Sequence, residues 1–95
     1  MNLTIAPAAL ADLARLQQFL KDKAPAAAHN AVAALITAIE SLDRFPERGR
    51  PTGIINMREL IVPFGRSAYV LRYAYSAAEN EVTVLRIWHG REARD

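Results

Sequence analysis

Leucines at positions 10, 13, 16 and 20 recur at a spacing that draws one apolar stripe along a helix. The spacing predicts a helix over residues 8–23, with Pro7 in its first turn and Asp12, Arg15, Gln17, Lys21 and Asp22 facing elsewhere. Lys21 and Lys23 suit the negative end of that helix. Ahead of it, Asn2–Ile5 alternates, with Leu3 and Ile5 on one side, and reads as a short strand. Pro25 restarts the chain, and Val32, Leu35, Ile36, Ile39 and Leu42 make a second helical stripe that Pro46 stops. Two amphipathic helices joined so closely predict an antiparallel helical hairpin. Alanines at 26, 27, 28, 31, 33, 34 and 38 keep helix propensity high and let the helices pack closely.

The segment RFPERGRPTG at 44–53 has two prolines and two glycines, which defeat both periodicities, so it is expected to be a non-regular joint. Three runs rich in β-branched and aromatic residues follow, at 57–63, 67–75 and 81–88, separated by FGR and SAAEN. They predict an antiparallel meander. Alternation puts Tyr69, Leu71, Tyr73 and Tyr75 on one side of the middle run, with Ala68, Val70, Arg72 and Ala74 on the other. It also opposes Arg58 to Glu59 and Trp88 to His89, and groups Arg86 with Val82, Val84 and Trp88. Strand, helix, helix, strand, strand, strand is the resulting order, and the hairpin must cover one face of the sheet to bury its stripes. The expected fold is a two-layer α+β sandwich, one domain over residues 1–95.

Composition narrows the chemistry. With 95 residues, 52% hydrophobic and 23% charged, one core is all the chain can fill, and a partner that adds stability is expected. The absence of cysteine excludes disulfides, thiolate nucleophiles and Cys-ligated zinc, and fits a reducing cytoplasm. The longest apolar stretch, 31–39 with one threonine, is far short of the roughly 18 residues of a membrane span, and Met1-Asn2 opens no signal peptide, so a soluble protein is expected. Net charge is +2 but uneven. Residues 1–43 carry three Lys/Arg against four acids, whereas residues 44–95 carry nine arginines against six acids. Arginine favours planar, bidentate contact with carboxylate or phosphate, which points to an acidic or nucleic-acid partner beside the plainer reading of a solvated surface. His29 and His89 stand apart from any further ligand, and neither GxGxxG nor GxxxxGK[ST] occurs, so no metal and no nucleotide cofactor is indicated.

In order and spacing, LTIAPAALADLARLQQFL, SLDRFPERGRP, MRELIVP, YVLRYAY and VTVLRIWHGREARD resemble the RelE/ParE superfamily of toxins from bacterial toxin–antitoxin modules along nearly the whole chain. The His-Gly-Arg ending resembles the ParE branch. The resemblance implies a cytoplasmic, growth-inhibiting toxin held in a hetero-oligomer with a small antitoxin, ParD-like or related. In the ParE branch the implied action is binding DNA gyrase and trapping its cleaved DNA complex, without chemistry by the toxin. In the RelE branch it is cutting messenger RNA within the ribosome, and a member that keeps the fold but has lost toxicity is a third reading.

RNA cleavage needs a base, an acid and cations for the phosphate. The RelE branch draws these from strand lysines, arginines and a late tyrosine, but the only lysines here are Lys21 and Lys23 and no tyrosine follows Tyr75. Another nuclease subgroup uses a glutamate, an arginine and a late histidine, and Glu59, Arg72 and His89 occupy similar places. Whether Glu59 shares a face with Arg72 depends on register. The plainer readings are that Arg72 is the partner of an acid such as Glu59, that His89 caps a backbone group, and that Trp88 closes the core or an antitoxin groove. Arg86 carries the same ambiguity as Arg72. Arg48, Arg50, Arg66, Arg91 and Arg94 fall in loops or the tail. By position and charge, Arg86, His89, Arg91 and Arg94 are the target-contact candidates.

Overall fold

Pro25 decides where the helical hairpin turns. The residue before a proline is pushed out of the helical region, and Ala24 is extended, with φ −155° and ψ 88°. It closes α1 (Pro7–Lys23) by donating its N–H to Leu20 O and opens α2 (Pro25–Ser41) by accepting from Ala28 N–H. A single residue therefore links the two helices. The computed structural model describes residues 1–92. β1 (Asn2–Ile5) precedes the hairpin, and β2 (Arg50–Pro51), β3 (Met57–Phe64), β4 (Ser67–Ser76) and β5 (Glu81–His89) follow it.

The strands form one sheet in the order β1-β5-β4-β3-β2. β1 runs parallel to β5 and every other pairing is antiparallel. The α+β two-layer class and the order of the predicted elements are as expected, and each strand of the meander extends one residue further than its sequence pattern. One feature corrects the reading of 44–53 as wholly non-regular. Arg50 pairs with Glu59 and Pro51 with Arg58, adding β2 at the sheet edge, where a proline is tolerated.

α1 lies against β5 and α2 against β3, so the hairpin covers one face. Leu16, Leu35, Ile39 and Leu42 meet Leu60, Leu71, Tyr73, Val82, Val84 and Ile87 there, all buried. The helical stripes differ from expectation at two leucine-like positions, since Leu10 is 53% and Ile36 45% exposed. Ala9 and Asp12, at 0% and 4%, take the inward places on α1 instead. Asp12 was expected to face elsewhere.

A β-bulge sets the faces of β5. Arg72 pairs with Arg86 and Tyr73 with Val84, which leaves Leu85 as the extra residue. The side-chain alternation shifts by one position there. Val82, Val84 and Ile87 all enter the core, whereas Trp88 lies on the face turned away from the helices and Arg86, outside the core, reaches Asp12 of α1. Strict alternation had grouped Arg86 with Val82 and Val84, and the bulge overturns that grouping.

Candidate functional site

Register lines up charged side chains on the face without helices. Arg50 is opposite Glu59, Glu59 opposite Arg72, and Arg72 opposite Arg86. Arg72 donates through Nε and Nη2 to Glu59 Oε2 at 3.0 and 2.8 Å, and Arg50 Nη2 stands 3.8 Å from Glu59 Oε1. The Arg72 guanidinium also lies 4.8 Å from the centre of the Trp88 ring, a cation–π contact. Trp88 is buried, but on this face, so it does not close the helix-covered core. Arg72 is thus the partner of Glu59, the structural alternative posed by the sequence.

Arg86 turns the other way because β5 outruns its neighbour. β1 ends at Ile5, opposite Val84, and among the described residues no strand lies beside the rest of the β5 edge. Asp12 of α1 fills the gap: its Oδ2 accepts Ile87 N–H at 2.8 Å and Arg86 Nε at 2.8 Å, and its Oδ1 accepts Arg86 Nη2 at 3.1 Å. Arg15 Nη2 stands 3.5 Å from Asp12. Burial alone would push the Asp12 carboxyl up, but the hydrogen bonds from Arg86 and Ile87 and the charges of Arg86 and Arg15 outweigh it and hold Asp12 below its ordinary value. Two residues on, His89 N–H donates to Glu92 Oε1 at 2.7 Å, while Glu92 Oε2 accepts from Arg15 Nη1 at 2.8 Å. Two carboxylates therefore finish the strand edge that β1 leaves open.

His89 faces the helix side, paired with Tyr69 and edge-on to its ring at 5.4 Å. Its Nδ1 accepts Arg91 N–H at 3.1 Å, which is the backbone-capping role. With Nδ1 an acceptor, a neutral ring carries its proton on Nε2 and presents a donor there. Glu59 and Arg72 are brought together, and the sheet separates them from His89. Of the target-contact candidates, Arg86 is tied to Asp12, His89 and Arg91 line a groove between α1 and the ends of β3, β4 and β5, and Arg94 lies outside the described residues. The residue that sequence reasoning missed is Asp12. Its signal was its place in the Ala9–Asp12–Leu16 row, which a count of leucines alone passes over.

Among the described residues no group of three or more His, Cys, Asp or Glu is placed to hold a metal ion, and no helix is long and apolar enough to cross a membrane. Residues 3–94 match the family described as the ParE toxin of the type II toxin–antitoxin system parDE. Toxin RelE1 of Caulobacter vibrioides is 43% identical over 83 residues, 87% of this chain and 86% of that one. Toxin RelE3 of the same organism is 36% identical over 93 residues, 98% of each. In fold, the chain is similar to one in a solved structure described as a chromosomal ParDE TA system from P. aeruginosa, with TM-score 0.79 and 23% identity, over 94% of this chain and 95% of that one.

Proposed function

The chain belongs to the ParE toxin family of type II toxin–antitoxin systems, and on that premise we propose that it stops growth by binding DNA gyrase and trapping its cleaved DNA complex, without chemistry of its own. The observation that supports this reading is the split of Glu59, Arg72 and His89 across the sheet. General acid–base catalysis needs its groups within hydrogen-bond reach of one substrate, and Glu59 and Arg72 are bonded to each other on the face opposite His89. We assign the target contact to His89 and Arg91 at the end of β5, followed in sequence by Arg94, with Arg86 as an anchor behind them. The neutralising partner in this reading is a small ParD-like antitoxin, the complex is a hetero-oligomer in the cytoplasm, and residues 1–95 act as one toxin domain.

The RelE name of the Caulobacter relatives favours a second reading, ribosome-dependent cutting of messenger RNA with Arg72, His89 and Glu59 as the site. His89→Gln separates the two. A rim contact is worth about 1 kcal/mol, so loss of growth inhibition is expected to stay within about tenfold. A general acid or base would cost about 100- to 10,000-fold. Dose-controlled induction of the two proteins, with growth rate as readout, gives the ratio, and a loss beyond 100-fold in a folded variant overturns the non-enzymatic reading.

A further inference from the structure

We propose that Arg15 and Glu92 are positioning residues for the target contact: together they fix the turn that presents His89 and Arg91, an inference that rests on the binding reading above. The turn closes on itself. His89 N–H donates to Glu92 Oε1 at 2.7 Å, Glu92 N–H donates back to His89 O at 2.9 Å, and Arg91 N–H donates to His89 Nδ1 at 3.1 Å. It is then fastened on two sides. Gly90 N–H donates to Ala68 O at 2.8 Å, so close to β4 that a Cβ at position 90 would stand 3.1 Å from that oxygen. On the other side Arg15 Nη1 of α1 donates to Glu92 Oε2 at 2.8 Å.

α1 reaches the strand end from two side chains one turn apart. Asp12 takes the Ile87 N–H, and Arg15, three residues on and so on the same helical face, takes Glu92. Arg15 stands between two carboxylates, 3.5 Å from Asp12 and 2.8 Å from Glu92, which suits a brace rather than a cation offered for recognition. The pair itself adds little to stability, because the two side chains are 43% and 32% exposed and water screens them. Its larger effect is geometric. Without Glu92 the His89 N–H loses its acceptor, the turn loses its tie to α1, and the imidazole and the Arg91 side chain lose their fixed bearing. Binding must then order both side chains and the backbone between them, which lowers affinity roughly tenfold.

The test compares Arg15→Ala, Glu92→Ala and the double variant with the parent, in dose-controlled induction with growth as readout and in gyrase supercoiling. Each single variant is expected to lose potency roughly tenfold, while the thermal midpoint falls by less than about 5 °C. The double variant is expected to lose no more than the more damaging single, because both residues act through one turn. Nitrogen-15 spectra of the His89 ring at alkaline pH supply a readout that a loss of stability alone does not move. The parent ring is expected to carry its proton on Nε2, and Glu92→Ala to shift it towards the mixed tautomers of an unheld ring. Unchanged potency in the single variants, or an unchanged ring spectrum, overturns the inference. Losses that multiply to about a hundredfold in the double variant also overturn it, since they mark two separate contacts. The two activity readouts keep this inference apart from the reading beneath it: weakened growth inhibition in the variants, with supercoiling untouched even by the parent, retains the brace and removes gyrase.

Discussion

Asp12→Ala is expected to lower stability by about 2–3 kcal/mol, the first of two large effects on folding. The carboxylate is 4% exposed and accepts a buried backbone N–H from Ile87. Removing it leaves that donor unpaired at a strand edge beyond the end of β1, which costs about 1–3 kcal/mol by itself. The packing of α1 on β5 around the vacated space adds the rest. For a chain of this size the thermal midpoint should fall by more than about 8 °C. Asp12→Asn keeps an acceptor for Ile87 but loses the charge facing Arg86 and Arg15, so it should fall between the two.

The same residue sets an acid limb. Asp12 is held below its ordinary carboxyl value in the folded chain, so the folded state binds its proton less readily than the unfolded chain, whose value is about 3.9. Its stabilising contribution is therefore complete above about pH 4 and lost as pH falls through the lower folded value. Urea unfolding of the parent and of Asp12→Asn from pH 6 to pH 2 checks this. The slope of stability below pH 4 should shrink in the variant, and an unchanged slope would assign the acid limb to other carboxyls.

Gly49→Ala is the second large effect, at about 2–3 kcal/mol. A Cβ at position 49 would stand 2.8 Å from both Cε1 and Oη of Tyr73 and 2.9 Å from Glu59 O. The tyrosine cannot yield, because its ring is 0% exposed and its hydroxyl donates to Pro46 O at 2.7 Å while accepting Gly49 N–H at 2.8 Å. Burial pushes its phenol up, which keeps that donor protonated. Arg58 holds the same joint through the carbonyls of Glu47 and Gly49. The added methyl therefore pushes the joint and β2 off the sheet. Calorimetry should show a lowered midpoint, and amide exchange should rise at Arg50 and Glu59. A variant as stable as the parent would mean that the joint closes without this contact.

The hydrophobic pattern carried most of the fold because the longer elements largely follow their periods. β1 matches its alternation, and the hairpin turns at the proline that stops one helix and starts the next. The exceptions have local physical causes. β2 is two residues long, too short for any period, and owes its existence to pairing with β3. The bulge at Leu85 is a tertiary event that alternation has no means to express, yet it decides which face Arg86 and Trp88 occupy. Asp12 read as solvated because a carboxylate is seldom buried without partners, and its partners lie 74 and 75 residues away on β5. The candidate site was legible in its residue types but not in its assembly. Glu59, Arg72 and His89 all lie on strands, and only register shows two of them bonded and the third on the other face.

The most direct test of a toxin that acts by binding is titration of the purified protein into a DNA gyrase supercoiling reaction, with ribosome-bound messenger assayed in parallel. Loss of supercoiling with accumulation of cleaved DNA, while the messenger stays intact, is the expected result. Undisturbed supercoiling together with cut messenger, at concentrations that stop growth, would contradict it.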